Sequence, residues 1–281
     1  MKIAWQNCYS LDAAEIVVFG VSGREGAVYH GTEQAQNEMR AASAKSVYAQ
    51  PAAGKTFAVQ PQGGPITKKV LDAYNIDWKE VGAFVERLAR KKKVPAMLGG
   101  GHACTLEALK GIANIHKDFS LVYFDSRLEM VSGEGISNSS VFSDALSIKQ
   151  LKMQRSACVG CRAFRESELE KAKKHKLLVI PAVEVEQEGV KKTFQKIKKR
   201  AGKKVYLSFD IGCIDPASAP GVSESVPAGL SPNQAVSLAK MVAANGIVGF
   251  DLVEVNPTLD RSGLTVNLGA KILSEIIAGI R

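Results

Sequence analysis

Val205-Tyr206-Leu207-Ser208-Phe209-Asp210-Ile211-Gly212-Cys213-Ile214-Asp215-Pro216 is a short apolar run that turns acidic where it ends. Residues 205–209 show little polar alternation, the mark of a strand covered on both faces, as in a parallel sheet between helix layers. The same form recurs on either side. Val94–Leu98 runs into Gly99-Gly100-Gly101-His102, and Leu121–Phe124 into Asp125-Ser126-Arg127-Leu128-Glu129. Ile247–Val253 runs into Glu254-Val255-Asn256-Pro257. Glu15–Val21, Ser156–Cys161 and Leu177–Ile180 are further strands of this kind, and an eighth is expected near Ile3–Trp5 or Thr56–Val59.

Helical patterns fill the intervals. They cover Thr105–Ile115, Ser143–Leu151, Glu166–Lys174, Val185–Arg200 and Leu264–Ile280, with Asp77 as N-cap of a helix to about Arg90. Ser231-Pro232 opens another through Ala244, with proline at the first helical position. Strand and helix in repeated alternation predict an α/β domain with a mostly parallel sheet between helices. No repeat, low-complexity tract or linker interrupts the chain, so residues 1–281 are read as one domain.

Composition narrows the function classes. Hydrophobic residues make up 46% and charged residues 23%, ordinary values for a globular protein. No run of about 18 apolar residues suggests a membrane span, and Met1–Ser10 lacks a signal pattern, so a cytoplasmic location is expected. The net charge of +9 raises the question of nucleic acid. Lys191, Lys192, Lys196, Lys198, Lys199 and Arg200, however, alternate with Val190, Phe194, Ile197 and Ala201 at helical spacing, which reads as a solvated helix face. Nucleic acid and membrane are therefore not expected partners. Cys158 and Cys161 form a CxxC inside an apolar strand, away from any helix N-terminus that would activate a thiol, and read as core residues.

In open parallel sheets, ligands bind at the carboxyl ends of strands. Four strands here deliver a carboxylate or an imidazole to that edge: His102, Asp125, Asp210 and Glu254. The chain resembles the arginase, agmatinase and formiminoglutamase superfamily, the ureohydrolases. The resemblance rests on these strand ends, on 31–40, on Gly160-Cys161-Arg162, on Pro220-Gly221, Pro227 and Gly229-Leu230, and on Glu254-Val255-Asn256-Pro257 with Asp260 and Thr265. It implies a three-layer α/β/α sandwich with an eight-stranded, mostly parallel sheet. It further implies two bridged manganese ions, hydrolysis of a guanidino or amidino carbon, and a homo-oligomer, trimer or hexamer.

The chain departs from the family's ligand motifs, Gly-Gly-Asp-His, Asp-Ala-His-x-Asp and Ser-x-Asp-x-Asp-x-x-Asp-Pro. His102, Asp125 and Asp210 match, and Glu129 is a longer carboxylate where an aspartate is usual. These four are the expected metal ligands. Arg127 replaces a histidine ligand and Gly212 an aspartate, so the second ion loses the ligands it does not share. Arg127 is expected to stand in for that ion, its guanidinium pairing the carboxylates. Glu254 and Asp215 are the expected catalytic residues by resemblance.

One Mn²⁺ or another divalent ion is thus expected, with an ion-free site paired by Arg127 alone as the alternative. The preferred function is a non-catalytic or regulatory relative that binds a small cationic or guanidino ligand, with an active paralogue of the family as partner. Two others stand against it: one-metal hydrolysis of a C–N bond in a linear amidine or guanidino compound, and an interaction protein that uses only the scaffold.

Overall fold

Eight strands built mainly from Val, Ile, Leu and Phe form the spine of the protein. In the computed structural model, which describes residues 3–22, 30–46, 51–52, 55–56, 66–132 and 137–281, they are β1 (Ile16–Val21), β2 (Val70–Ile76), β3 (Val94–Leu98), β4 (Ser120–Phe124), β5 (Ala157–Cys161), β6 (Leu178–Pro181), β7 (Val205–Asp210) and β8 (Ile247–Val253). Their order across the sheet is β2-β1-β3-β8-β7-β4-β5-β6, and every described pairing is parallel.

Parallel neighbours need crossovers, and the helices supply them on both faces. The helices are α1 (Ala35–Ser46), α2 (Val81–Arg90), α3 (Cys104–Ile115), α4 (Val141–Ala145), α5 (Glu166–Lys174), α6 (Ala182–Ala201), α7 (Pro232–Asn245) and α8 (Leu264–Gly279). Alternate residues of one strand feed opposite cores. Ile16 and Val18 belong to the core that also holds Met39, Phe194, Leu238 and Ile272, while Val17 and Phe19 belong to the one that holds Leu88, Leu109 and Phe142. The result is the expected three-layer α/β/α sandwich.

The eighth strand lies elsewhere than expected. Ile3–Trp5 is a turn, and of Thr56–Val59 only Thr56 falls within the described residues, in a two-residue ladder outside the main sheet. The edge position is filled by β2, whose Val-Leu-Asp-Ala-Tyr-Asn-Ile sequence reads as too polar for a buried strand. Its Asp72 is the reason it fits. That carboxylate accepts from Trp5 Nε1 at 2.8 Å and pairs with Arg40 of α1 at 2.8 Å, so the polar group is satisfied at the sheet margin.

Two helices are also corrected. α4 is one short turn over Val141–Ala145 rather than Ser143–Leu151, and α6 is broken at Gly189, whose φ of 78° leaves the helical region. The Ser231 capping box and Pro232 start α7 as expected. Lys191, Lys192, Lys198, Lys199 and Arg200 stay exposed on α6 while Phe194 and Ile197 are buried, the solvated face read from the spacing. Cys158 and Cys161 are buried, unbridged thiols on β5. No helix among the described residues is long and apolar enough to cross a membrane.

Candidate metal and ligand site

β3, β8, β7 and β4 are scattered in sequence but adjacent in the sheet. Their carboxyl ends therefore meet, and His102, Glu254, Asp210 and Asp125 arrive at one place. Gly99 and Gly100, at φ 75° and 80°, let the β3 end turn tightly against α1, where a Cβ on Gly99 would sit 3.1 Å from Ala35 Cβ.

The closest cluster is His102, Asp125 and Asp210. His102 Nδ1 lies 3.1 Å from Asp125 Oδ2 and 3.3 Å from Asp210 Oδ2. One ligand atom from each of the three falls within 4.8 Å of the others, and all three residues are buried. On the far side of the ring, His102 Nε2 is 3.1 Å from Ser208 Oγ, which donates to Asp251 at 2.7 Å. The inward nitrogen is thus left to face the carboxylates.

Electrostatics mark the cluster as short of positive charge. Burial alone would push the His102 imidazole down, yet Asp125 and Asp210 carry it well above its ordinary value. Burial and the neighbouring Asp125 raise the carboxyls of Asp210 and Glu129. Glu254 is pushed up to about 7 by burial and by Asp210. His102 Nδ1, Asp125 Oδ2 and Glu129 Oε2 are buried without a hydrogen-bond partner. Unsatisfied buried groups are costly, and His102 Nδ1 and Asp125 Oδ2, 3.1 Å apart in a cluster completed by Asp210, fit a divalent cation.

The other expected residues are placed as follows. Glu129 is buried beside the cluster but is not among the three residues whose ligand atoms gather within 4.8 Å; its Oε1 faces Arg127 Nε at 3.7 Å. The Arg127 guanidinium also pairs with Glu224, and only its backbone N–H reaches Asp125, at 2.9 Å. The expectation that its side chain spans Asp125 and Asp210 is thus corrected: Glu224, a closer acid on the facing loop, takes the guanidinium. Gly212 lines the cleft and donates its N–H to Asp210 Oδ1 at 2.6 Å.

Glu254 Oε1 accepts from His102 N at 2.8 Å and from Asn138 Nδ2 at 2.6 Å. Asp215 does not line this cleft. Its two oxygens accept from Ala217 N and Gly229 N, and these bonds hold its carboxyl below the usual range while they brace the loop between. Glu129 and Glu254 have φ of 50° and 65°, a region non-glycine residues rarely occupy and one that gathers at functional sites.

Asn138 and Glu224 are site residues that the sequence reading missed. Both lie in loops that depart from the family pattern, so no motif marks them. Glu224 is the single acid between Pro220-Gly221 and Pro227, and a lone loop carboxylate carries no signal of its own.

Comparison with known proteins bears on this geometry. The arginase family model matches residues 14–279. An agmatinase from Neisseria meningitidis serogroup C is 32% identical over 201 residues, which are 71% of this chain and 64% of the relative. The matched part thus spans less than two thirds of that protein's length. The agmatine ureohydrolase of Thermoplasma volcanium superposes with a TM-score of 0.82 at 26% identity, covering 99% of this chain and 94% of the other. A Trypanosoma cruzi formiminoglutamase crystallised with Mn²⁺ superposes with a TM-score of 0.87, covering 98% of this chain and 96% of the other. At 16% identity that likeness concerns the fold alone.

Proposed function

The chain belongs to the arginase family, and from that membership we propose that it binds one divalent cation and a small guanidino compound without two-ion hydrolysis. One observation carries the reading: among the described residues, ligand atoms gather in one cluster. His102, Asp125 and Asp210 converge there, with Glu129 as the adjoining carboxylate. Beside that cluster Gly212 offers no ligand and Arg127 brings its own charge.

Nitrogen and carboxylate donors suit Mn²⁺ or Mg²⁺. A bound ion supplies Lewis acidity toward an oxygen ligand. The remaining work falls to the chain. Ser208 and Asp251 orient the His102 ring, Glu254 and Asn138 fix the His102 backbone, and Glu254 presents its carboxylate to a cationic ligand. Arg127 holds positive charge at the mouth of the cleft, beside Glu129 and Glu224, and a guanidinium does not bind or acidify water as a metal does. We take residues 1–281 as one arginase-like unit, acting in the cytoplasm as a homo-oligomer, trimer or hexamer, beside an active member of the family.

A second reading has an observation in its favour. Identity of 32% to an agmatinase supports hydrolysis of a linear guanidino compound with a single ion. Calorimetry and a urea assay on the Mn²⁺-loaded chain, with agmatine and 4-guanidinobutyrate, separate the two. Binding with no urea released is the expected result. Sustained urea release replaces the first reading by the second, and no binding of either compound refutes the ligand assignment.

A further inference from the structure

The chain places a guanidinium of its own between two acids at the mouth of the cleft. Arg127 pairs with Glu129 on one side and Glu224 on the other. Glu129 is a built partner: its side chain is 5% exposed, and its Oε2 is buried without a hydrogen bond. Glu224 sits at a loop apex pinned on both flanks. Gly221 N donates to Thr265 Oγ1 at 2.7 Å, Asn256 Nδ2 reaches Ser223 Oγ at 3.3 Å, and Arg162 donates to the carbonyls of Val226 and Pro227. A loop held this way presents Glu224 to the cleft in a fixed position.

Arg127 and Glu129 also line a second hollow, together with Val131, Ser139, Phe164 and Glu168. The inner hollow is tight, ≈ 20 Å³, and the outer is wider, ≈ 180 Å³. The pair therefore forms the wall between a tight inner space and a wider outer one, and the inner space gains room only when the Arg127 side chain leaves it. Charge favours a further cation. Five carboxylates line the inner hollow: Asp125, Glu129, Asp210, Glu224 and Glu254. One divalent ion and Arg127 leave that set short of positive charge.

We propose that Glu129 and Glu224 form a guanidinium-binding clamp, filled by Arg127 as a tethered ligand, from which a free guanidinium compound displaces it. This rests on the guanidino-ligand reading above and names the residues that select the ligand. Two acids facing one planar fork favour a guanidinium over an ammonium, because paired N–H groups meet paired oxygens. Displacement swings Arg127 out of the wall and joins the two hollows.

The test is calorimetric titration with methylguanidinium, and with methylammonium as control, with and without Mn²⁺. Arg127→Ala vacates the clamp and is expected to tighten methylguanidinium binding roughly tenfold, with a much smaller gain for methylammonium. Adding Glu224→Gln to that variant is expected to remove the gain. Equal affinity in native and Arg127→Ala chains overturns the proposal, as does an equal gain for methylammonium or a gain that survives Glu224→Gln. Should Arg127→Ala fail to fold, the native chain gives a second readout, the Nε–H resonance of Arg127. It is expected to shift as methylguanidinium is added, and a shift absent at saturation overturns the clamp. A chain that loads one ion yet shows no gain refutes the clamp alone. A chain that passes these titrations but takes up no ion refutes the cation reading alone.

Discussion

Gly212 and Arg127 are where single residues decide what this cleft can hold. A Cβ on Gly212 would meet Asp210 Oδ1 at 2.9 Å, a contact relieved by a small rotation of that carboxylate, so an aspartate can be accommodated. Arg127→His together with Gly212→Asp is expected to create a second ion site, read as a doubled Mn²⁺ content; an unchanged content means that more than these two ligands is missing. Asp210→Asn is expected to weaken Mn²⁺ binding by about two orders of magnitude or more, since an amide lacks the charge that holds a hard cation. At this scale the sequence told much. His102, Asp125, Asp210 and Glu254 were identified from their positions after strands, because a parallel sheet brings strand ends to one edge. The partner of Arg127 was not legible, because Glu224 reaches the cleft from a loop whose path no motif specifies. Asp215, expected at the site by resemblance, does not line the cleft, because two backbone amides decide which way its carboxylate faces.

Among the elements, buried strands and amphipathic helices were the readable ones, since their apolar periods reflect a core on each face. β2 was not, because an edge strand needs only partial burial and here carries Asp72. That acid ties β2 to α1 through Arg40 and to the N-terminal segment through Trp5. Asp72→Ala removes the only carboxylate paired with the Arg40 guanidinium among the described residues and leaves it, 11% exposed, on the neutral Asn75 Oδ1. A cost of about 3–5 kcal/mol is expected, checked by urea denaturation; a loss under about 1 kcal/mol would mean that water takes over the pairing. α2 and α3 meet closely at Gly111, where a Cβ would lie 2.4 Å from the Gly82 carbonyl oxygen. Gly111→Val therefore forces the helices apart at an expected cost of roughly 1–3 kcal/mol, and a stability equal to the native chain's would contradict this packing.

For the whole molecule, ion binding and folding are linked through the charge of the cleft. Without a cation, Glu254 titrates at about 7 against an ordinary 4.5, so the folded chain holds more protons than the unfolded one in that window. His102, raised well above 6.5, acts with the same sign. The stability of the ion-free chain is thus expected to fall as pH rises from about 4.5 through 7. Mn²⁺ at a hundredfold excess over its dissociation constant should add about 2.7 kcal/mol near neutral pH, and less at low pH, where protons compete for the same oxygens. Melting curves across pH with and without Mn²⁺ check both slopes. A chain whose stability rises through that window without metal contradicts the charge account.

The most direct measurement is the number of Mn²⁺ ions bound per chain at saturation, determined by elemental analysis of native chain and His102→Ala variant. The lopsided cleft predicts one ion per native chain and none in the variant. Two ions per native chain would contradict the account, because neither Gly212 nor the guanidinium of Arg127 can ligate the second.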